Sequence, residues 1–366
     1  MAKFWNVISY ANFIDAGANL EIITHLYQLP LRDPFTISRG TALVQPSLVV
    51  ELRDGDYRGF GEATSNDFYS ASITSMLEDL KKVQEILNNL QWQRPEELWD
   101  KLDPHLAHNR FAQAALDMAA FDLWGKRLNQ PVWKLLGLNS NVGPDSCYTL
   151  GIDTRDVMLR KMQDMPGWPI YKIKCGTPND IETVRFLRQH TSARFRVDAN
   201  CGWEPSRVLE LAAQLKSLDV EFIEQPLPVP CWEEMKALKS QSVLPLMADE
   251  SCPTLDAVDR CAESFHAINI KLVKCGGITP ALRMIQRAKM LGLKVMVGCM
   301  TESSVGISAA AQLRPLLDYA DLDGAVLLKE DLATGVRVEK GKVGLLDLPG
   351  NGVQLKPNLD HLRLTI

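Results

Sequence analysis

Eight ionisable residues stand at the ends of short apolar runs: Lys172 and Lys174 in PIYKIK, Asp198 in RFRVDAN, Glu224 in VEFIEQP, Asp249 in PLMADE, Lys271 in AINIKL, and Asp321 and Asp323 in YADLDG. About 25 residues separate most of them, the length of a strand, a helix and their loops. Three carboxylates brought together repel and raise one another's pKa unless a cation neutralises them. With oxygen ligands alone and no His or Cys in the set, a hard cation such as Mg2+ suits Asp198, Glu224 and Asp249 better than zinc. A substrate carboxylate on that cation would place its α-carbon between Lys174 and Lys271, so that one lysine removes the α-proton and the other delivers a proton to the opposite face. This is racemisation or epimerisation through an enolate, whose developing charge a divalent cation stabilises. A lysine base must be partly neutral against an ordinary pKa of about 10.4, and the cation together with Lys172 is expected to push it down. Asp321 and Asp323 would hold a cationic group at the far end of the substrate, which points to the N-terminal ammonium of a dipeptide whose C-terminal carboxylate lies on the metal.

These residues need a scaffold that gathers strand ends. From residue 146 to 333 the chain alternates short apolar runs with amphipathic segments, and eight runs are present: SCYTLGI, PIYKIK, RFRVDAN, VEFIEQP, PLMADE, AINIKL, KVMVGCM and YADLDG. A plausible helix follows each of the first seven, such as EPSRVLELAAQLKSL, and none follows the eighth. The fold class is therefore α/β, a (β/α)7β modified TIM barrel, with its active site at the C-terminal ends of the strands. In a ring of eight, Lys174 on the second run and Lys271 on the sixth are opposite, with the three acids on the arc between them. Strand alternation puts Lys172 with Lys174, and Asp321 with Asp323, on a common face.

Residues 1–19 read as an N-terminal extension and 20–145 as an α+β capping domain, in which LEIITHLYQLPL and SLVVELRDGDYRGFGEA form strands ahead of helical periodicity up to about Asn129. The tail, 334–366, is expected to return and complete this cap. The 366 residues are 46% apolar, enough for a large core, and 40 basic against 45 acidic residues give a net charge of −5. There is no basic cluster to track a phosphate backbone, which argues against nucleic acid, and no apolar run long enough for a membrane span. Eight dispersed cysteines without a Cys-x-x-Cys pair suit reduced thiols, and a cytoplasmic location is expected. Homo-oligomerisation is left open.

The motifs GFGEAT at 59–64, ALDMAAFDLWGKRLNQPVWKLLG at 115–137, YKIKCG, VDAN, IEQP, ADES and INIKLVKCGG resemble the enolase superfamily, in its muconate lactonizing subgroup, and specifically its dipeptide epimerases. The resemblance implies Mg2+ on Asp198, Glu224 and Asp249, Lys174 and Lys271 as acid/base residues, Lys172 as electrostatic assistance, and Asp321-Leu322-Asp323 as the ammonium site. It also implies that a mobile loop in the cap, here PFTISRGTA, selects the substrate. Arg39 in that loop would meet an acidic side chain, pointing to L-Ala-D/L-Glu, and Met300 and Glu302 in CMTES would line the pocket.

Blander readings compete. A Lys-x-Lys at a strand end is commonly a solvated rim, Asp198 and Asp249 could cap helices, and Asp321 and Asp323 could belong to a turn beside Gly324. Lys274, three residues after Lys271, should leave the inward face and be structural, and Glu62 is either structural or at the pocket's border. The rival functions are epimerisation of hydrophobic or cationic dipeptides; N-acylamino acid racemisation, o-succinylbenzoate synthesis or cycloisomerisation; and a non-catalytic dipeptide-binding barrel. The Asp pair argues against the second group, whose substrates lack the ammonium.

Overall fold

A computed structural model of the chain describes residues 20–88 and 90–364; the expected N-terminal extension lies outside the described residues. The chain first forms an antiparallel sheet of β1 (Glu21–Ile37), β2 (Gly40–Asp54) and β3 (Tyr57–Thr64), then helices α1 (Ile73–Leu87), α2 (Pro95–Leu106), α3 (Arg110–Arg127) and the short α4 (Val132–Leu135). The glycines of GFGEAT explain how α3 lies against β3. A Cβ at Gly59 would fall 2.1 Å from the Ala119 carbonyl oxygen, and one at Gly61 would fall 2.0 Å from that of Ala115. Larger residues at either position would push the helix off the sheet.

The second part is an eight-stranded parallel sheet in which sequence order is spatial order: β4 (Tyr148–Leu150), β5 (Ile170–Lys174), β6 (Arg194–Asp198), β7 (Val220–Glu224), β8 (Leu246–Ala248), β9 (Ala267–Lys271), β10 (Lys294–Gly298) and β11 (Tyr319–Asp321). Each of the eight apolar runs contains one of these strands. Intervening helices are α5 (Arg155–Asp164), α6 (Asp180–Arg188), α7 (Pro205–Ser217), α8 (Trp232–Lys239), α9 (Val258–Ser264), the pair α10 (Leu272–Cys275) and α11 (Ile278–Met290), and α12 (Ser304–Ala311). In place of an eighth helix, β11 is followed by the 3-10 turn Gly324–Leu327 and then by the short strands of the tail.

The ladder runs from β4 to β11 and is nearly closed. Side chains stitch the seam between those two strands. Ser146 Oγ accepts from Leu322 N at 2.8 Å, Asp323 Oδ2 accepts from Thr149 N at 2.6 Å, and Cys147 Sγ lies 3.1 Å from Asp321 Oδ1. The Asp-x-Asp motif therefore has a structural duty as well as a place at the strand end.

The tail returns to the first sheet. Tyr27 bridges Arg363 and Leu31 bridges Leu328, while Leu332, Val353 and Leu362 pack with Tyr27, Leu29 and Val49 in one buried cluster. Glu62, left open from sequence, is buried and structural. It accepts from Ser47 Oγ on β2 and from Ser303 N, Ser303 Oγ and Gly306 N at the start of α12, so the cap is fastened to the barrel through it. No helix of the described residues is long and apolar enough to cross a membrane, and all eight cysteines are free.

PFTISRGTA, expected as a loop, is mostly hairpin. Phe35, Thr36 and Ile37 pair with Ala42, Thr41 and Gly40 beyond a register shift after Pro30, leaving Ser38 and Arg39 as the tip. Pro34, Ser38 and Gly40 read as loop signals in the sequence, but the shift moves the pairing past the proline.

Candidate active site

Asp198, Glu224 and Asp249 terminate or immediately follow β6, β7 and β8. Each offers a carboxylate oxygen within 4.8 Å of the others, and all three are buried. Asn269 Nδ2 donates to Glu224 Oε1 at 2.8 Å, whereas Glu224 Oε2 is buried without a hydrogen bond; Lys172 Nζ is 2.8 Å from that oxygen but outside hydrogen-bonding directions. Burial and the Asp198 charge push Glu224 up to about 7, with Lys172 countering. Burial opposes ionisation of Asp198 and Asp249 as well, but Lys172 and Lys174 hold Asp198 below the usual range, and Lys271 and Lys274 do the same for Asp249. An all-oxygen set of three carboxylates with one unsatisfied buried oxygen fits a hard divalent cation.

Lys174 ends β5 and Lys271 ends β9, so three strands separate them on either side of the ring. Lys174 Nζ donates to Asp198 Oδ2 at 2.6 Å and Lys271 Nζ to Asp249 Oδ2 at 2.9 Å. Burial is the largest single effect and disfavours the Lys271 ammonium, but the surrounding carboxylates, Asp249 first and then Glu224 and Glu250, together hold it above the ordinary lysine value; Lys172 pulls the other way. The expected depression by neighbouring cations is thus present and smaller than the effect of the carboxylate in contact.

Lys172 is 2% exposed and its Nζ lies 3.0 Å from Asp198 Oδ2, 2.8 Å from Glu224 Oε2 and 2.7 Å from Asp321 Oδ2. Asp321, on the strand opposite β7 in the ring, shares Lys172 with the triad, and its other oxygen faces Cys147. Asp323 sits apart: Oδ2 is bound by Thr149 N, and burial followed by the Asp321 charge pushes its pKa up to about 7.

Both aspartates line one cavity of about 710 Å³ together with Lys172, Lys174, Asp249, Lys271, Arg39 and Met300. Met300 Sδ is 4.0 Å from Lys271 Nζ. Glu302 does not line the cavity. It turns inward to accept from Met300 N at 2.8 Å and packs against Gly306, where a Cβ would fall 2.2 Å from its Oε2. Arg39 reaches Glu250 and the Asn200 carbonyl at the cavity wall.

Burial, followed by the neighbouring Glu62 charge, pushes Glu302 up from 4.5 to about 8. Between these two values the unfolded chain ionises Glu302 while the folded protein keeps it protonated, so stability falls as pH rises across this window, by up to about 1.4 kcal/mol per pH unit. Glu302→Gln removes that loss. The melting temperature of the variant minus that of the parent is expected to increase from pH 5 to pH 8, and a difference independent of pH would contradict the assignment.

Two residues that hold the site are not recognised as such in the sequence. Asn269 precedes Lys271 by two on β9 and so shares its face, but inside AINIKL it reads as an interruption of an apolar run. Lys274 was expected to be structural and outside the inward face. Instead the chain enters α10 directly after Lys271, which swings Lys274 back so that its buried Nζ donates to Asp249 Oδ1 at 2.5 Å, to the Asp249 carbonyl at 2.6 Å and to the Asn269 carbonyl at 3.1 Å.

Comparison with known proteins agrees with this architecture. Residues 20–137 match the mandelate racemase / muconate lactonizing enzyme N-terminal domain and residues 156–359 the enolase C-terminal domain-like family. An L-Ala-D/L-amino acid epimerase of Flavobacterium johnsoniae is 48% identical over 92% of this chain and 100% of its own length. An L-Ala-D/L-Glu epimerase of Bacteroides thetaiotaomicron is 38% identical over 94% of this chain and 90% of its own. Among solved structures, a dipeptide epimerase from Enterococcus faecalis, complexed with Mg and the dipeptide L-Leu-L-Tyr, superposes with a TM-score of 0.84 at 30% identity, covering 92% of this chain and 99% of that one. A two-part chain with both domains matched in order, a nearly closed eight-stranded barrel and a carboxylate triad at its strand ends belongs to the mandelate racemase / muconate lactonizing enzyme family.

Proposed function

We propose that the protein is a dipeptide epimerase that inverts the α-carbon of the C-terminal residue by proton transfer between Lys174 and Lys271, with Mg2+ as its metal. The observation that carries this reading is the placement of the two lysines on opposite strands of the ring, on either side of the triad, in one cavity that also receives Asp323. The epimerase relatives, and the Mg and dipeptide bound in the Enterococcus faecalis structure, support it. An N-terminal alanine in the substrate follows the names of the two relatives.

A divalent cation held by Asp198, Glu224 and Asp249 supplies positive charge where the substrate carboxylate gains electron density. The residues of the chain do the rest. Lys174 addresses one face of the α-carbon and Lys271 the other, and whichever is neutral accepts the proton while the ammonium opposite donates one. The Asp249 contact orients Lys271 and favours its ammonium, the form that donates a proton. Lys172 stays cationic among three carboxylates and aligns Asp198 and Asp321. Asp323 holds the substrate's ammonium, and Asp321 adds negative charge behind it.

Incubation with L-Ala-L-Xaa dipeptides is expected to yield L-Ala-D-Xaa products; no epimer across a broad panel would contradict the reading. Asp323→Asn is expected to raise KM by about ten- to a hundredfold, the weight of a buried charged hydrogen bond, with a smaller effect on kcat. An unchanged KM would remove Asp323 from ammonium binding. Because the variant also alters the seam at Thr149, its melting temperature is measured alongside.

A further inference from the structure

The hairpin tip is docked into a place built for it. Ser38 Oγ donates to the Asn200 carbonyl at 2.9 Å, and Arg39 Nη1 donates to the same carbonyl at 3.1 Å and to Glu250 Oε1 at 2.8 Å. The guanidinium carbon sits 4.5 Å from the centre of the Phe68 ring, in the 3-10 turn that follows β3. Two glycines clear the ground beneath. At Gly176, with φ +114°, a Cβ would lie 2.8 Å from Ser38 Cβ, and at Gly202, behind it, a Cβ would lie 2.8 Å from Gly176 Cα. Ile152 N donates to the Thr36 carbonyl at 2.8 Å, joining the hairpin to the end of β4. The hairpin thus contacts the loops after β4, β5, β6 and β8 at once.

Charge at this spot is compensated. The Glu250 side chain is 1% exposed, and the Arg39 side chain retains 33% exposure towards the cavity and solvent. An acidic substrate side chain arriving here would meet an arginine already neutralised by a buried carboxylate and would be repelled by Glu250 beside it. Apart from Asp67 the rest of this wall is uncharged, with Phe35, Ile37, Ala42, Phe68 and Leu327 apolar and Thr41, Gln45 and Asn66 neutral. Asn200 and Glu250 each lie within two residues of a triad carboxylate, so the wall stands beside the C-terminal residue of the substrate.

Building on the dipeptide reading above, we infer that Arg39 is a latch that fastens the hairpin over the reacting residue rather than a reader of acidic side chains, and that the enzyme selects dipeptides with uncharged C-terminal side chains. Arg39 is in this sense a positioning residue: it acts through the hairpin, and the apolar wall that the hairpin carries contacts the substrate.

The test compares the full-length protein with Arg39→Met, which keeps the stem on Phe68 and removes the ion pair, and with Arg39→Lys, which restores a charge to Glu250. For wild type, kcat/KM on L-Ala-L-Leu is expected to exceed that on L-Ala-L-Glu. Arg39→Met is expected to lower both by a similar factor, about ten- to a hundredfold for loss of a half-buried ion pair, and Arg39→Lys to recover part of it. Wild-type preference for L-Ala-L-Glu, or a loss in Arg39→Met confined to that substrate, would overturn the inference. Hydrogen exchange of residues 36–42 is an independent readout, expected to accelerate in Arg39→Met, and unchanged protection would overturn the latch. Should wild type turn over no dipeptide, the epimerase reading and the substrate preference both fall, while the exchange measurement still decides the latch.

Discussion

Lys271→Ala and Lys174→Ala each lose epimerisation by about 10²- to 10⁴-fold or more, the range over which a positioned acid or base accelerates proton transfer. The loss has a particular form. Because the lysines stand on opposite strands, each variant keeps a base for one face only. In D2O, one variant is expected to exchange the α-proton of the L,L-dipeptide and the other that of the L,D-dipeptide, with neither converting one epimer to the other. Collapse of the fold does not explain such a pattern, and the ion pairs make collapse improbable in any case. Asp249 keeps Lys274 when Lys271 is removed, and Asp198 keeps Lys172 when Lys174 is removed, so neither change strands a buried charge at the cost of about 3–5 kcal/mol. Circular dichroism and melting temperature verify this directly. Retained epimerisation in either variant would defeat the two-base account.

Glu224→Gln is expected to abolish turnover for a different reason, through the cation. Of the three carboxylates, Glu224 has the buried oxygen with no hydrogen bond, and its other oxygen is held by Asn269. Glutamine can keep the Asn269 contact through its carbonyl oxygen while withdrawing the negative charge. Mg2+ affinity, measured by calorimetry, is expected to fall by about 100-fold or more, since even changes behind the ligands cost about 10- to 100-fold. Thermal denaturation gives a second readout. At a hundredfold excess over Kd, Mg2+ stabilises the folded wild type by about 2.7 kcal/mol, a shift that Glu224→Gln should not show. Chelation of wild type is expected to abolish activity and Mg2+ to restore it. Full activity after exhaustive chelation, or undiminished Mg2+ affinity in the variant, would contradict the metal assignment.

Much of the barrel is legible in the chain because a parallel strand buried on both faces is a short apolar run, and eight of them at regular spacing admit few other folds. The ring positions of Lys174 and Lys271 follow from counting those runs. Residues that depend on what the chain does after a strand are less legible. Lys274 returns to Asp249 only because α10 begins at once, which strand alternation extrapolated past Lys271 does not anticipate. Asp321 and Asp323 share a face by alternation, but the different partners they find, Lys172 on β5 and Thr149 on β4, lie 149 and 174 residues away in the chain. Glu302 has the right address in CMTES and the wrong direction, being drawn inward by the Met300 amide. Arg39 shows the same limit, since its partner Glu250 is 211 residues away and nothing local announces it.

Proton transfer at the C-terminal α-carbon of a dipeptide leaves an isotopic record. Wild-type protein is incubated with Mg2+ and L-Ala-L-Leu in D2O, and the α-protons of both residues are followed by NMR. Deuterium is expected to enter the C-terminal α-position, an L-Ala-D-Leu signal to grow with it, and the N-terminal α-proton to stay untouched. An undisturbed C-terminal α-proton across a broad panel of dipeptides, or exchange at the N-terminal residue instead, would contradict proton transfer at that carbon.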